Sequence, residues 1–503
     1  MTGIDLVHAG QGRRVSRTRA LCRQNSRARQ WLGQRVPHLM SVVLVLFLAI
    51  ILNLGAVVPV QAQTPREGFR ETLFGPDADT PGVCQRLNTA PQMGGTEDLR
   101  LRCNEIAGAI FTPQGNLDEG NTALGQVASE EVATQGTLFV EASNNYIGAR
   151  LAALRAVIRG TGPRQFALYP TELTPPVTLV ASLAQYAAAA SPIPAAAPTP
   201  FSRLGFFANG TYTSGDKDTI QQVAEDGVAD IIEPGFDFDG IGVTAGIEYR
   251  INNNFVLGLA FSYQATDADL DADAGSVDIN SYSVSIYGIY YVSKFYVDGI
   301  VTFGWSDVDL DRTIRYTIAA VDGTTSVSQT ARSDTDTKQY SLSFGVGYDF
   351  NAGGWTLSPL VRVNYIRLDI DGYQETIDNT NTGFGWALVF DDQEVESLTS
   401  VVGGQISYAI STAFGVLLPQ VRGEWEHEFK DDRRTLTARF VHDPERAPIQ
   451  FSTDAPDRDF FNIGVGLSAV FRGGVSAFAY YETVLGLDDV TIHTVTVGVR
   501  KEL

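Results

Sequence analysis

The chain has 503 residues, with 37 Lys and Arg against 58 Asp and Glu, a net charge of −21 and near-neutral mean hydropathy. That acidity argues against binding nucleic acid or an anionic membrane surface through general electrostatics. No segment after residue 62 reads as a spanning helix, so a membrane role for the mature chain requires the other structure that satisfies every backbone group in lipid, a closed sheet.

Residues 1–62 read as an export signal. Eight arginines (Arg13, Arg14, Arg17, Arg19, Arg23, Arg27, Arg29, Arg35) precede a stretch without Lys, Arg, Asp or Glu from Val36 to Pro65. Its apolar heart, Val42 to Leu54, is followed by Pro59 and a small-residue site ending at Ala62, which places cleavage between Ala62 and Gln63. Removal takes away eight Arg and Asp5, a net +7, and leaves a mature chain at −28. Residues 63–128 are polar and rich in Gly, Pro, Asn and Thr. Cys84 and Cys103 are the two cysteines left after cleavage, and in an oxidising compartment an even pair reads as a disulfide.

Residues 129–160 read as an amphipathic helix, with Ser129 as N-cap, Glu130 and Glu131 in the first turn, and Ile147, Leu151, Leu154 and Ile158 at helical spacing. Residues 161–201 close in a Pro/Ala-rich linker. The rest, 202–503, is a run of alternating strands, expected at 202–214, 236–250, 253–266, 276–292, 294–311, 335–350, 353–369, 396–411, 414–430, 458–472, 474–485 and 490–503. Their connections alternate between tight turns and long loops, including one expected at 312–334. Tyr340, Leu342, Phe344, Val346, Tyr348 and Phe350 share one face, and so do Phe461, Ile463, Val465, Leu467, Ala469 and Phe471. Each set opens and closes on an aromatic ten residues apart, roughly 33 Å of strand and about 25 Å of membrane depth. The fold expected is all-β: a twelve-stranded antiparallel transmembrane β-barrel behind a small, mainly α or irregular N-terminal region, with the short turns periplasmic.

The hairpin from Gly235 to Arg250 and Asn252 to Tyr263, the strand Phe295–Gly304, and the segment Arg422 to Phe429 resemble the autotransporter β-domain family. The resemblance covers about 202–503. It implies an outer-membrane barrel that helps deliver its own N-terminal passenger, and a C-terminal strand read by the barrel-assembly machinery. Val495, Val497, Val499 and Leu503 carry that signal here, although Lys501 and Leu503 stand where the family has aromatics.

The candidate chemistry is sparse. Asp267, Asp269, Asp271 and Asp273 could approach a Ca²⁺, but as an EF-hand their register fails at Ala274 and Asn280, so a solvated acidic loop is the reading preferred. Arg422, Glu424, Glu426 and Glu428 alternate toward the lumen, as does Arg362 on another strand, which reads as a structural charge network. Five histidines are scattered, and no nucleophile elbow, HExxH or P-loop occurs. The chain is therefore read as a non-enzymatic outer-membrane protein of a Gram-negative bacterium, needing no cofactor or metal and binding no nucleic acid. Its partners are outer-membrane lipid and lipopolysaccharide and the export and barrel-assembly machinery, and it is expected to be a monomer. It translocates or displays its short N-terminal region. The alternative is a non-secreting barrel whose N-terminal region is periplasmic or plugs the lumen and whose acidic loops make it an adhesin or structural protein.

Overall fold

The computed structural model describes residues 73–74, 82–90, 94–111, 203–218, 220–223, 229–233 and 235–503, less 253, 321–322, 433, 453–455 and 488–489. The expected export signal with its Ala62–Gln63 junction, the helix at 129–160 and the linker at 161–201 lie outside the described residues.

Twelve strands form a closed antiparallel barrel. They are β1 (Leu204–Lys217), β2 (Phe236–Arg250), β3 (Phe255–Leu270), β4 (Gly275–Val292), β5 (Phe295–Ala320), β6 (Gly323–Tyr348), β7 (Trp355–Ile370), β8 (Gln393–Tyr408), β9 (Gly415–Glu428), β10 (Asp459–Phe471), β11 (Val475–Leu485) and β12 (Val490–Glu502). Each pairs with the next. The ring closes between β1 and β12, where Phe207 lies opposite Arg500. Closure matters because an open edge would leave unpaired N–H and C=O groups in hydrocarbon.

The direction of the side chains shows what surrounds the wall. On β6, Leu342 and Phe344 are 52 % and 53 % exposed, whereas Ser341 and Ser343 are 4 % and 3 % exposed. Apolar residues face out and polar residues face the lumen, as lipid requires. Two aromatic belts bound this band. At the loop end, Tyr263 and Tyr282 lie 5.2 Å apart, Tyr282 stacks on Trp305 at 6.0 Å and Phe303 meets Tyr340 at 5.4 Å. At the turn end, Phe295 meets Tyr348 at 4.7 Å, Trp355 meets Tyr408 at 4.7 Å and Phe414 meets Phe471 at 5.8 Å. The turn end is built from tight turns: Asn252 Oδ1 accepts from the N–H groups of Asn254 and Phe255, and Ser293 takes φ +59.

Above the loop-end belt the pattern inverts. On β5, Val301, Phe303 and Trp305 point outward, but Val308, Leu310, Ile314, Tyr316 and Ile318 point inward and are buried. The same switch places Leu270 on β3, Val277 and Ile279 on β4 and Val327 on β6 inside. This corrects the expected loop at 312–334. Those residues continue the β5–β6 ladder to Ala320 opposite Gly323, so the hairpin rises well beyond the membrane. The β3 and β4 ladder likewise runs on to Leu270 opposite Gly275, where a long loop was expected from 267. The physical reason is that the inverted alternation still satisfies a strand, with its apolar face turned from lipid to an internal core.

The two faces make a quantitative expectation. Phe344→Arg should cost about 2–4 kcal/mol of barrel stability because it puts a cation near mid-bilayer, between the Tyr340 and Tyr348 belts. Thr317→Arg, on the outer face above the membrane, should stay within about 0.5 kcal/mol of the parent. Urea-dependent unfolding in lipid vesicles separates the two.

Candidate functional site at the loop end

The inward apolar residues above the membrane are covered from two sides. The β7–β8 and β9–β10 connections supply Tyr373–Gln374, Leu388–Phe390, Thr435–Phe440 and Ile449–Ser452, which pair into a small four-stranded sheet. Trp386, Leu388, Phe440 and Ile449 lie in the same apolar core as Ile314, Tyr316 and Ile318 of β5. Trp386 is fully buried, with its ring 5.5 Å from Phe440, and its Nε1–H donates to the Tyr316 hydroxyl at 2.9 Å. Burial pushes that hydroxyl far above the ordinary tyrosine range, so it stays protonated. Beneath this, Arg312 forks onto Glu375, with Nε donating to Oε1 at 2.7 Å, and the Leu388 N–H donates to Glu375 Oε2 at 2.8 Å. A buried ion pair of this kind is tolerated because its donors and acceptors are matched.

The second cover is the N-terminal region. Its described residues include the helices α1 (Val83–Leu87) and α2 (Gly95–Phe111), joined by a Cys84–Cys103 disulfide with Cα atoms 5.3 Å apart. The two cysteines are 19 residues apart in sequence, and closing a loop of that length contributes about 3 kcal/mol. On α2, Leu99, Cys103 and Ile106 follow the i, i+4, i+7 rule and are completely buried, while Leu101 faces out. Leu73, Val83, Leu87, Leu99, Cys103 and Ile106 belong to the core made by the barrel extension and the loop sheet.

Polar contacts fix the register. The Asp98 carboxylate accepts from the N–H groups of Gly383 at 3.0 Å and Gly385 at 2.8 Å. Gly383 has φ +103, a conformation an L side chain rarely adopts, and a Cβ on Gly385 would fall 2.4 Å from the Leu99 nitrogen. The turn is therefore glycine so that it can approach α2. The Thr96 hydroxyl donates to the His442 carbonyl at 2.9 Å, and the Thr325 hydroxyl near the β5–β6 tip donates to Glu105 at 3.0 Å. Arg102 sits between Asp98 and Glu105, 3.6 Å and 2.9 Å away. Burial raises the Glu105 carboxyl, opposed by Arg102, and burial lowers the His442 imidazole, opposed by Asp98.

On the outer face of the same extension, carboxylates stand opposite one another across five strands. Asp239 lies opposite Asp267, Asp267 opposite Asp278, Asp278 opposite Asp309 and Asp309 opposite Asp334. Partial burial pushes the Asp278 carboxyl above its usual range, reinforced by Asp267 and Asp309. Asp271 and Asp273 lie apart from this row, in the 3-10 turn Asp271–Asp273. Among the described residues, no group of three or more His, Cys, Asp or Glu side chains could hold a metal ion.

The lumen residues resolve into separate pairs. Arg362 donates to Asp298 at 2.6 Å and to Ser343 at 2.7 Å. Arg422 bonds Glu424 on its own strand, and Glu426 accepts from the Asn462 amide. Two pairs missing from the sequence reading are Asp298 with Arg362 and Glu248 with Arg500, the latter at 2.8 Å near the β1–β12 seam. Alternation marks each of these as inward, but only register says which meet. Val495, Val497, Val499 and Leu503 all face outward on or beyond β12.

Residues 206–482, more than half of the chain, match the Autotransporter beta-domain family. The chain belongs to the autotransporter β-domain family. It is 30 % identical over 210 residues to an uncharacterised protein of the trpE–trpG intergenic region of Pseudomonas putida, covering 41 % of this chain and 32 % of that one. It is 27 % identical over 206 residues to the esterase EstA of Pseudomonas aeruginosa, covering 40 % and 29 %. With outer membrane protein A of Rickettsia conorii it shares 25 % identity over 242 residues, covering 47 % and 11 %. The chain thus matches a third or less of the length of these relatives. Among solved structures it is similar to the translocator domain of the autotransporter NalP from Neisseria meningitidis, with 14 % identity, 60 % of this chain and 90 % of that one covered, and a TM-score of 0.45. The autotransporter barrel lies in the outer membrane of a Gram-negative bacterium.

Two expectations follow. Asp98→Ala strands the Gly383 and Gly385 N–H groups in a dry site and should lower the unfolding free energy of the loop end by about 3 kcal/mol, read as earlier loss of hydrogen-exchange protection in α2 than in β6. For Asp278 the folded pKa is raised, so between its unfolded and folded values the native state binds more protons and stability falls as pH rises. Asp278→Asn should therefore raise the melting temperature at pH 7 and lose that advantage on acidification below the usual Asp range, checked by thermal melts across pH 3–8.

Proposed function

We propose that this autotransporter barrel carries its own N-terminal region, expected at residues 63–128, across the outer membrane and retains it at the cell surface, docked on the loop end. The single observation that carries the reading is where α1 and α2 are found. β1 begins at the turn end, since Leu204 pairs with Tyr249 beside the tight turn to β3. The helices lie at the opposite end, in one core with the loop sheet and the upper part of β5. Short turns face the periplasm in barrels of this class and long connections face outside. Phe111 therefore stands on one side of the membrane and Arg203 on the other, and delivery of an N-terminal region through a polar lumen would expose no backbone to lipid.

In this reading the pairs Arg362–Asp298, Arg422–Glu424 and Glu426–Asn462 keep the lumen wall polar and rigid. Val495, Val497, Val499 and Leu503 present the outward face that the barrel-assembly machinery receives. The displayed region acts by contact, not by catalysis: Asp98, Glu105 and Thr96 are all engaged in docking. The barrel works as a monomer among lipid and lipopolysaccharide. A periplasmic or lumen-plugging N-terminal region would leave the buried face of α2 without the loop sheet that covers it.

An epitope inserted near Gln114 tests this. Protease added to intact cells should remove it while a periplasmic marker survives. Protection until the outer membrane is opened would sink the proposal and return the N-terminal region to the inner side.

A further inference from the structure

We propose that Ser400, His427 and Asp459 form a serine-hydrolase triad on the lipid-facing wall of the barrel, which cuts the acyl esters of lipids in the leaflet at the loop end. This goes beyond surface display. Only the identity of that leaflet as the outer one rests on the loop end facing outside, and the test in vesicles does not depend on it.

Register assembles the triad. Three neighbouring strands each contribute one residue: Ser400 on β8 lies opposite His427 on β9, and His427 lies opposite Asp459 on β10. All three belong to the outer face, because their strand neighbours Thr399, Glu426, Glu428 and Phe460 are buried toward the lumen. His427 Nδ1 stands 2.9 Å from Asp459 Oδ1. An ionised carboxylate only accepts, so Nδ1 carries the proton and Nε2 keeps its lone pair. That is the tautomer a general base needs. The Trp425 Nε1–H also donates to Asp459 Oδ1, at 3.0 Å, and so fixes the carboxylate beside the imidazole.

With Nδ1 engaged on the β10 side, Nε2 is the nitrogen left for the β8 side, where Ser400 stands. Side chains directly opposite in an antiparallel pair have Cβ atoms about 4.5–5.5 Å apart, a gap that a serine hydroxyl and an imidazole can close. Among the described residues no hydrogen bond occupies the Ser400 hydroxyl or His427 Nε2.

The surroundings select the substrate. The imidazole lies between Trp425 and Phe429, at ring distances of 5.9 Å and 4.9 Å, and Phe461 stands exposed opposite Trp425. Such a girdle marks the boundary between headgroups and hydrocarbon, which is also the depth of a lipid's ester groups. On the turn side of Ser400, Gly404 faces Gly423 across the β8–β9 ladder, and a Cβ on Gly423 would meet nothing within 4 Å. The two glycines leave a dent in the outer face along which an acyl chain can lie.

In the reaction, Ser400 Oγ attacks the ester carbonyl carbon and gives its proton to His427 Nε2. The bond from that carbon to the alcohol oxygen breaks, and the alcohol leaves with the proton. Water then attacks the acyl-Ser400 ester and gives a proton to Nε2. That proton returns to Ser400 Oγ as the fatty acid leaves. The barrel carries its own control. His493 on β12 lies opposite Ser214 on β1, but its ring bonds the Tyr481 hydroxyl at 2.9 Å where the triad has a carboxylate.

The full chain, made in a host without outer-membrane lipases, is reconstituted in vesicles of phosphatidylethanolamine, or of lipopolysaccharide in an ester-free diether lipid. Fatty acid should be released, and a fluorophosphonate probe should label Ser400, mapped by mass spectrometry. Release from either vesicle supports the triad and names the source of the ester. Ser400→Ala and His427→Gln should each lower release at least about a hundredfold, and His493→Gln should leave it within about twofold. Asp459 is a positioning residue, so Asp459→Asn should lose most of the release and Asp459→Glu should recover it. SDS-resistant mobility shows that each variant still forms a barrel. If the cluster only rivets three strands together, neither lipid is cut and Ser400 stays unlabelled, which overturns the proposal. Release that survives Ser400→Ala overturns it as well.

Discussion

Everything in this molecule depends on where the strands leave lipid. Inside the bilayer a closed sheet is obligatory and its outer face must be apolar. A few residues above, the same strands meet water outside, so the apolar face has to turn inward or be lost. On β5 the change falls between Trp305, which points out, and Val308, which points in. Neither strand nor ladder breaks there, because a sheet is indifferent to which face is apolar. The barrel wall becomes the wall of a core-bearing domain without any intervening linker.

That inversion creates an unsatisfied surface at the loop end, and the rest of the architecture answers it. Ile314, Ile318 and Val327 cannot remain exposed to water at the mouth of a barrel. The β7–β8 and β9–β10 connections fold over them as a small sheet, and α2 completes the layer. The polar contacts inside this layer give orientation more than stability. Arg312–Glu375 and Asp98 with the Gly383–Gly385 turn are matched pairs whose removal leaves a buried partner stranded, so they define which packing is allowed.

Much of the barrel was legible in the sequence. Period-two alternation, aromatic spacing and the succession of short and long connections determine strand number, closure and the outward face. What was not legible has a common cause. The strand expected at 294–311 already carried Asp307, Asp309 and Asp311 on its outer face, and beyond it Ile314, Tyr316 and Ile318 go on alternating on the inner face through the segment expected as a loop at 312–334. Following both faces separately would have shown the strand continuing. The lumen pairs were out of reach for another reason: inwardness is a local property, but Arg362 meets Asp298 two strands away only through register. The docking of α2 was more hidden still. Its short apolar row, Leu99, Cys103 and Ile106, says that one face is covered and not by what.

The size of the N-terminal region then bears on why it stays. A stretch of under 70 residues with one disulfide has little room for a core of its own. Leu73, Val83, Leu87, Leu99 and Ile106 lie in one buried core with the barrel extension and the loop sheet. The hairpin borrows its core from the barrel, and the barrel's upper face borrows its cover from the hairpin. Each is the other's missing layer, so release would cost both. A helical region with a core of its own could stand apart from the barrel. The buried residues of α1 and α2 share one core with the barrel extension and the loop sheet, so separation would expose apolar surface on both.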